Sequence, residues 1–480
     1  MMKKSIILLT AALLGASAAA EAKSDKRGYS VNSMMAVDYA ALEPGSSWFY
    51  DWSLNPPSDE GNKFVDYDLE FCPMVWNANY NVEALEATYQ KYKDHIKYVL
   101  GYNEPNFTDQ AHLTPAQAAA DWPRFQEWAL SHNLKIVSPA VNWSSWQQYN
   151  DPITWLDEFF SLLPDKGEKI DYVACHFYMP NGTAVMNNIE RLKKYGKPIW
   201  LTEFCYASGN ISNDPATQNR YMLDILPKLE QDPMVFRYAW FMARTTNASW
   251  GDGINLLNRF PNQGTLTDNG YAFTYLWDFP TDFYHNAGEK FAAADFINQA
   301  GILVGKNTDE DQAYADYKIS VNDLGNGSKT EYVEYQLQFD KTGTYDLNLR
   351  AAVRSATKVD IHWNGTKVIS DLDLTSTGGA NKWGDVKISN VNIDGETKGT
   401  LRITPTRSMQ ISTIRFERTG NVAVETIGAE AEAAISVEGN SIVGADAVYT
   451  ISGTQVGSEN LQPGIYIAKA GTKTRKIVIR

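Results

Sequence analysis

The chain has 480 residues and a mass of 53.7 kDa, which exceeds one average domain and predicts about two to four domains of roughly 100 to 200 residues each. Hydrophobic residues make up 44% and charged residues 21%, values near those of globular proteins that exclude wholesale disorder, collagen and coiled coil. The net charge of −14 argues against a nucleic acid or an anionic membrane surface as partner, because both are bound mainly through Lys and Arg.

The first 22 residues have the pattern of a secretory signal peptide. Lys3 and Lys4 precede a mostly apolar run, Ser5 to Gly15, and Ala20-Glu21-Ala22 offers a small-x-small cleavage site. No later stretch supplies the roughly 20 apolar residues that a membrane span needs. The sequence therefore predicts no membrane insertion and a protein that is secreted or held at the cell surface.

Residues 27–280 alternate β-branched or aromatic runs with helical stretches, which is typical of βα units around a parallel sheet. The predicted strands are Gly28–Val31, Ser47–Trp52, Glu70–Trp76, Tyr98–Glu104, Lys135–Val141, Tyr172–Tyr178, Pro198–Cys205 and Arg237–Ala243. The predicted helices are Val82–Lys91, Pro115–Ser131 (with Thr114 as N-cap), Ile153–Leu163, Asn187–Tyr195 and Pro215–Lys228. Eight strands with intervening helices over about 250 residues predict a (β/α)8 TIM barrel, an α/β fold.

After Pro280 the pattern changes to alternating apolar and polar residues between Gly, Asn and Asp turns. The predicted strands here are Glu331–Phe339, Gly343–Ala352, Lys358–Trp363, Gly399–Thr404 and Ile411–Phe416. They predict an antiparallel β-sandwich over residues 283–418. An Ala/Glu/Gly-rich linker over 420–434 and a small all-β C-terminal domain over 435–480 complete the predicted organisation.

Two predicted barrel strands end in a glutamate. The fourth ends Gly101-Tyr102-Asn103-Glu104-Pro105-Asn106, and the seventh ends Trp200-Leu201-Thr202-Glu203-Phe204. Because strand C-termini of a parallel barrel open on one face, both carboxylates are expected to converge there. Two carboxylates with different pKa values are what glycoside hydrolysis needs, one to donate a proton and one to attack the anomeric carbon.

Asn-Glu-Pro on the fourth strand with a second Glu on the seventh resembles the clan A retaining glycosidases. A closer resemblance is to glycoside hydrolase family 128, endo-β-1,3-glucanases related to the alkali-sensitive-linkage proteins of fungal walls. The segments that carry it are Ser47–Trp52, Gly101–Asn106, Leu113–Ala119, Ser138–Val141 and Trp200–Phe204. The resemblance implies Glu104 as general acid/base, Glu203 as nucleophile and net retention of configuration.

Further side chains are candidates for substrate binding. Asn103 is placed to bond a sugar 2-hydroxyl, or else caps a turn. His176 and Tyr178 share one face of the sixth strand, and the resemblance implies that Tyr178 donates to the nucleophile while His176 lines the site; a core histidine is the alternative. The resemblance also implies Trp240 as the platform under the reacting sugar, since flat aromatic rings bind the C–H faces of sugars.

Other aromatic residues of the barrel could form additional sugar subsites, although each is equally compatible with a core position. These candidates are Trp48, Tyr50, Trp52, Trp76, Trp143 and Trp146. The three cysteines, Cys72, Cys175 and Cys205, are odd in number and far apart, so they predict buried apolar positions rather than a disulfide scaffold or a metal knuckle. No cofactor and no metal site is predicted.

Phe291–Phe416 resembles a family 6 carbohydrate-binding module, on the residues Glu331–Glu334 with Tyr335, Gly343–Ala351 and Ile414–Phe416. Ala292-Ala293-Ala294 stands where such modules carry Glu-Ala-Glu, which puts the family's structural calcium in doubt. Trp363, Trp383 and Tyr317 are the candidates for stacking on a sugar. A sandwich that only buttresses the barrel is the alternative.

The C-terminal segment resembles the sorting domains recognised by the type IX secretion system of Bacteroidetes. Val448–Gly453, Leu461–Ile467 and the basic end Lys473–Arg480 carry this resemblance, which implies the type IX machinery as a partner. A generic all-β tail is the alternative.

Together these patterns predict a secreted retaining endo-glycosidase that hydrolyses β-1,3-glucan, a polysaccharide substrate such as laminarin or curdlan. Two alternatives stay open. One is a clan A glycanase that acts on another β-glycan, and the other is a surface glycan-binding protein without turnover.

Overall fold

The structure is a computed structural model that describes residues 23–57, 63–245, 247, 249–309, 316–321, 330–419, 436–450, 455–462, 464–470 and 473–479. The predicted signal peptide (1–22) and the whole of the predicted linker (420–434) lie outside the described residues. The chain divides into two compact units, Met1–Thr419 and Gly420–Arg480. None of the helices in the described residues is long and apolar enough to cross a membrane.

Eight parallel strands form one sheet in the first unit. They are β1 Arg27–Ser30, β2 Trp48–Tyr50, β3 Glu70–Phe71, β4 Tyr98–Leu100, β5 Lys135–Val141, β6 Tyr172–His176, β7 Ile199–Phe204 and β8 Val235–Trp240. Their spatial order is β3-β2-β1-β8-β7-β6-β5-β4, and a parallel bridge from Met74, just after β3, to Leu100 joins the two ends of this order. Each predicted strand is present, and the curled sheet is consistent with a (β/α)8 core.

Helices follow most of these strands. They are α1 Ala36–Leu42, α2 Val82–Tyr92, α3 Pro115–Ser131, α4 Pro152–Leu162, α5 Gly182–Leu192, α6 Pro215–Gln231 and α7 Asp268–Tyr275, with 3-10 turns at Glu43–Gly45, Lys63–Asp66, Lys93–His95, Gln147–Tyr149 and Lys193–Tyr195. The Thr114 cap is confirmed: its side chain accepts from the Gln117 amide, and the Gln117 side chain accepts from the Thr114 amide. Helix α5 begins five residues earlier than predicted because Asn181 caps it.

The inside of the barrel is filled at the N-terminal ends of the strands. Trp48 and Trp200 meet there edge to face with ring centroids 4.8 Å apart, and Arg237 lies 2.7 Å from Glu70. The three cysteines are free and buried, as predicted. Among the described residues, packed side chains thus close this end of the barrel interior.

A β-rich region of two six-stranded sheets follows the barrel. One sheet comprises His285–Asn286, Asn298–Ala300, Tyr332–Gln338, Thr357–Trp363, Thr366–Leu374 and Lys398–Pro405. The other comprises Phe291–Ala292, Leu303–Lys306, Tyr317–Val321, Gly343–Val353, Gly384–Ile393 and Met409–Arg418. All pairings are antiparallel except that of His285–Asn286 with Tyr332–Gln338. The sheets pack on each other through contacts such as Phe291 with Tyr335, 5.5 Å between ring centroids.

The β-rich region is packed on α6 and α7 of the barrel. Asn219 of α6 is buried and exchanges two hydrogen bonds of 2.9 Å with the backbone of Val304. The indole of Trp277, just after α7, donates to the Phe296 carbonyl at 2.7 Å. These contacts explain why residues 23–419 form one compact unit.

The second unit is built from strands throughout its described residues. They are Ser436–Glu438, Ser441–Val443, Ala447–Thr450, Gln455–Val456, Gly464–Ala470 and Lys473–Ile479. The first two form a hairpin and the other four one antiparallel sheet. Its small core includes Val448, Tyr466 and Ala468.

Candidate active site

The two predicted carboxylates meet at the C-terminal end of the barrel. Glu203 lies on β7, and Glu104 follows β4, where its amide donates to the Ala140 carbonyl at 2.9 Å. One oxygen of each carboxylate and a ring nitrogen of His176 all lie within 4.8 Å of one another. Glu104 has a φ of 42°, a left-handed conformation that costs energy for a residue with a side chain.

Glu203 is buried and accepts hydrogen bonds on both oxygens. Oε1 accepts from the indole of Trp52 at 2.6 Å and from the hydroxyl of Tyr50 at 3.1 Å, while Oε2 accepts from the hydroxyl of Tyr178. Burial raises the pKa of Glu203 above its ordinary value, whereas His176 and the donors Tyr178 and Trp52 oppose this rise. The donors thus stabilise the ionised form that burial disfavours.

Glu104 is held through one oxygen only. Its Oε1 accepts from the side-chain amide of Asn142 and from Nδ1 of His176, both at 2.9 Å. Its Oε2 has no hydrogen-bond partner among the described residues. The carboxyl group therefore keeps one oxygen available for a ligand in the cavity.

His176 bridges the two carboxylates from below. Its Nδ1 lies 2.9 Å from Glu104 Oε1 and 3.3 Å from Glu203 Oε2, and the ring is completely buried. Desolvation lowers the pKa of His176, but the two carboxylates outweigh it and the net shift is upward. The spacing of these three groups would also suit a metal ion. Trp52, Tyr178, Asn142 and His176 donate to three of the four carboxylate oxygens, whereas Oε2 of Glu104 and Nε2 of His176 have no partner among the described residues.

A cavity of about 470 Å³ opens over these groups. It is lined by Asn32, Trp52, Trp76, Asn103, Glu104, Phe107, Gln110, Asn142, Tyr178, Glu203, Ile211, Phe241 and Trp250. Trp52, Phe241 and Trp250 form a continuous aromatic wall, with centroid distances of 5.9 Å and 5.0 Å between neighbours. Aromatic faces beside amide and carboxylate groups are the surface that a sugar ring and its hydroxyls require.

Six of the predicted binding residues lie at this cavity or directly beneath it. Asn103, Tyr178, Trp52 and Trp76 line it. His176 and Tyr50 are buried below it and form hydrogen bonds to the carboxylates. The predicted donation from Tyr178 to Glu203 is present.

Four predicted binding residues, Trp240, Trp48, Trp143 and Trp146, lie neither at the cavity nor directly beneath it. Trp240 is wrong as the sugar platform: it is completely buried and its indole donates to the Ile254 carbonyl at 2.7 Å. On β8 the side chains alternate, so Trp240 points away from the barrel interior and packs on Phe204, 5.3 Å between ring centroids. The aromatic side chain that reaches the cavity from this strand is the next one, Phe241.

Trp48 and Trp143 need the same correction. Trp48 points into the barrel but at its closed end, where it is fully buried and its indole donates to the Lys26 carbonyl. Trp143 is 38% exposed outside the cavity, where its indole donates to Asn188 and Arg191 lies over its ring. Trp146, also a candidate, packs on Tyr149 and is absent from the cavity lining.

Sequence reasoning missed Asn142, the partner of Glu104. The signal that could have found it is its position at the C-terminal end of β5, since barrel strand ends carry the site. It also missed that Trp52 donates a hydrogen bond to Glu203, the candidate nucleophile, in addition to lining the cavity. Trp52 has a φ of 58°, a conformation that the residue type gives no reason to expect.

The aromatic candidates of the β-rich region differ in exposure. Trp363 is buried, and its indole donates to the Glu396 carbonyl. Tyr317 stacks on Tyr275 of α7 with centroids 5.4 Å apart. Trp383 is partly exposed and donates to Thr308. Trp363 thus belongs to the core, whereas Trp383 and Tyr317 are both partly exposed and Tyr317 contacts the barrel.

Asp51, between Tyr50 and Trp52, should make the free energy of unfolding depend on pH. Burial raises its pKa to about 8, whereas the unfolded carboxyl ionises near 3.8. Between these values the folded state binds the additional proton, so stability falls as pH rises, by up to about 1.4 kcal/mol per pH unit. Asp51→Asn should remove this contribution to the pH dependence of stability. Urea unfolding between pH 4 and 8 measures the effect, and Asp373→Asn at an exposed position is the control. Identical pH dependence in wild type and Asp51→Asn would contradict the assignment.

Comparison with known proteins gives two family matches. The family model described as glycosyl hydrolase catalytic core matches residues 29–273, and that of the family 6 carbohydrate-binding module matches residues 293–418. The first match covers half of the chain and includes both glutamates. The second coincides with the β-rich region.

Individual relatives match the barrel region. Alkali-sensitive linkage protein 1 of Schizosaccharomyces pombe is 28% identical over 222 residues, 45% of this chain, and the match spans only 37% of that protein. A family 128 subgroup II endo-β-1,3-glucanase from Pseudomonas viridiflava is 34% identical, covering 53% of this chain and 98% of its own, with a TM-score of 0.46. The corresponding Sorangium cellulosum enzyme is 33% identical, covering 52% and 97%, with a TM-score of 0.46.

Proposed function

Because the chain belongs to the family of the glycosyl hydrolase catalytic core, we propose that it is a retaining endo-β-1,3-glucanase in which Glu104 and Glu203 react with the substrate. The observation that carries the proposal is the approach of the two carboxylates to within 4.8 Å. Retaining enzymes hold these groups roughly 5 to 5.5 Å apart, whereas inverting enzymes leave roughly 6.5 to 9.5 Å for a water molecule.

In the first step Glu203 attacks the anomeric carbon as the bond to the leaving sugar breaks. Glu104 gives its proton to the departing oxygen, and Glu203 becomes a glycosyl ester. In the second step Glu104 takes a proton from water, and the resulting nucleophile displaces Glu203 from the anomeric carbon. Glu203 is thus regenerated as a carboxylate and Glu104 is protonated again, so the protons balance over the cycle.

His176 is placed to stabilise the negative charge on either glutamate during this cycle. Negative charge is on Glu203 before the first step and on Glu104 after it. Since Nδ1 of His176 is within 3.3 Å of an oxygen of both groups, the same N–H can stabilise the charge in either position without moving. A preorganised donor of this kind lowers the barrier because it needs no reorganisation during the reaction.

The sequence supports β-1,3-glucan as the substrate. The segments that resemble family 128 include both strand ends with the glutamates, and the relatives named endo-β-1,3-glucanase are 33–34% identical over nearly their whole length. The amide-rich part of the cavity, Asn103, Gln110 and Asn142, suits the hydroxyls of a neutral glucan.

A substrate panel tests the proposal against its alternatives. The protein should release reducing ends from laminarin but not from xylan or mannan, and oligosaccharides of several lengths should appear early, as endo-cleavage requires. Activity on xylan or mannan instead would favour a glycanase of different linkage specificity. Binding of laminarin without any release of reducing ends would contradict the enzymatic proposal.

Tyr178→Phe tests the nucleophile assignment. Loss of the hydroxyl removes a hydrogen bond that lowers the pKa of Glu203, so the carboxylate ionises at higher pH. The acidic limb of the kcat/KM profile on laminarin should therefore move to higher pH, and kcat should fall roughly 10- to 100-fold.

The matched control is Tyr195→Phe, since the Tyr195 hydroxyl donates to Asp157 outside the cavity. This variant should keep the wild-type profile. An unshifted acidic limb in Tyr178→Phe would contradict the role of Tyr178.

We also propose that the chain is exported and that residues 435–480 are recognised by type IX secretion machinery. The signal-peptide pattern of residues 1–22 and the basic end of an acidic chain support this. In a bacterium with that machinery, the full chain should reach the surface or medium, and a chain ending at Thr419 should stay in the periplasm. Equal release of both would contradict the sorting role.

A further inference from the structure

The β-rich region is joined to the cavity wall through two buried asparagines. Asn219 of α6 is 3% exposed and Asn269 of α7 is 2% exposed. Oδ1 of Asn219 accepts from the Val304 amide at 2.9 Å, and its Nδ2 donates to the Val304 carbonyl at 2.9 Å. The same Nδ2 donates to Oδ1 of Asn269 at 2.8 Å. The side chain of Asn219 therefore bonds both the strand Leu303–Lys306 and α7, and these bonds fix the rotation of its amide.

Asn269 continues this series of hydrogen bonds to the segment after β8. Its Oδ1 accepts from Asn219, so its Nδ2 faces the other way and donates to the Gly253 carbonyl at 2.7 Å. A reversed Asn269 amide would place its donor against that of Asn219 and its acceptor against the carbonyl. The two asparagines thus make an oriented connection from Val304 in the β-rich region to Gly253 in the barrel.

The segment that contains Gly253 carries part of the cavity wall. Trp250 lines the cavity and packs on Phe241, 5.0 Å between ring centroids. Gly253 itself closely approaches the start of α6, since a Cβ at this position would lie 2.5 Å from the backbone of Asn213. Because Trp250 is only three residues from Gly253, a shift of the Gly253 backbone should displace the indole from the wall.

From these contacts we propose that Asn219 and Asn269 are positioning residues, through which the β-rich region holds Trp250 in the cavity wall. Neither asparagine lines the cavity, so both act on the substrate through Trp250. The strand Leu303–Lys306 lies within the residues matched by the carbohydrate-binding module. This region therefore contributes to substrate affinity at the barrel, apart from any glycan that it binds itself. The inference rests on the proposed function, since it concerns a glucan bound against Trp250.

Two substitutions break the connection at different points. In Asn219→Ala, the Val304 backbone and Oδ1 of Asn269 lose buried partners, and the Asn269 amide is no longer held in one rotation. Asn219 does not contact Trp250, so an effect there has to travel through Asn269. Asn269→Ala breaks the series at the next residue and leaves the bonds between Asn219 and Val304 in place, which makes it the milder second variant.

Hydrogen–deuterium exchange of the full chain, followed by mass spectrometry, measures the effect. The amides of Trp250 and Gly251 are hydrogen-bonded within their own turn, at 3.2 and 3.1 Å, and their exchange reports local opening. Peptides that cover residues 249–257 should exchange roughly 5- to 10-fold faster in both asparagine variants. Peptides from β5 should exchange as in the wild type, which separates local opening from loss of the whole fold.

Arg220→Met is the matched control. Nε of Arg220 donates to the Gly301 carbonyl at 3.2 Å, which is a bond between α6 and the β-rich region outside the asparagine series. This variant should keep wild-type exchange in residues 249–257. Wild-type exchange there in either asparagine variant would overturn the inference. Equal acceleration in Arg220→Met would also overturn it, because that result would indicate a general loosening of the contact.

The kinetic consequence is a higher KM. In Asn219→Ala, KM for laminarin should rise roughly 3- to 10-fold with little change in kcat, because an aromatic wall binds substrate and transition state alike. In a Trp250→Ala background the same substitution should raise KM no further, since the residue through which Asn219 acts is gone. An equal rise in both backgrounds would overturn the inference. If exchange responds as expected but the wild-type protein neither binds nor cleaves laminarin, it is the proposed function that fails.

Discussion

Replacing Glu203 by alanine should lower the hydrolysis of laminarin about 10⁴-fold or more, because no carboxylate remains to form the glycosyl ester. Binding of laminarin should persist, since the aromatic wall and Glu104 are unchanged. Sodium azide should restore turnover by entering the space left by the carboxylate. With a β-configured aryl laminaritrioside, the product should be the α-glycosyl azide, because azide attacks the substrate directly from the side of Glu203.

Glu104→Ala is the matched control with the opposite product. This variant should still form the ester from an aryl substrate whose leaving group needs no proton, and azide should then displace Glu203 to give the β-glycosyl azide. NMR of the isolated azides distinguishes the two. The β-azide from Glu203→Ala, or near-normal rates in that variant, would contradict the assignment of roles.

Asp38→Ala should be among the most destabilising single substitutions in the barrel. Asp38 and Arg244 are buried and joined by two hydrogen bonds of 2.6 and 2.8 Å, and Asp38 also accepts from the Gly264 amide at 2.7 Å. Removing the carboxylate leaves the Arg244 charge buried and unpaired, which typically costs about 3 to 5 kcal/mol. Urea or thermal unfolding monitored by circular dichroism measures this loss.

Asp373→Ala is the control for an ion pair in solvent. Its partner Lys358 is 2.9 Å away, and both side chains are largely exposed, so less than about 1 kcal/mol should be lost. Equal effects of the two substitutions would contradict the distinct contribution assigned to the buried pair.

The barrel and its two carboxylates could be predicted from the sequence because each rests on a local rule. Alternating strands and helices fix the parallel sheet, Thr114 and Pro115 fix the start of α3, and the strand ends fix where Glu104 and Glu203 point. Helices α1 and α7 were missed because they have only seven and eight residues, too few for a clear apolar period.

The aromatic residues were harder to assign. Trp240 and Phe241 are adjacent and similar in character, and only the direction of each side chain on β8 decides which one meets the cavity. Trp48 faces the barrel interior, but its position along the barrel axis depends on how β2 is staggered against its neighbours. Residue type alone predicts neither the direction of a side chain on its strand nor its position along the barrel axis.

The partners of the carboxylates depend on contacts between distant segments. Asn142 bonds Glu104 because the end of β5 lies beside that of β4, and the unusual backbone at Trp52 turns its indole towards Glu203. Such features follow from tertiary structure and leave little trace in the local sequence.

The most direct test of the central claim is the anomeric configuration of the first product. Proton NMR during the first minutes of laminarin hydrolysis by the wild-type protein should show the new reducing ends as the β-anomer, with the α-anomer growing only as mutarotation proceeds. Immediate appearance of the α-anomer would contradict a double displacement by Glu104 and Glu203.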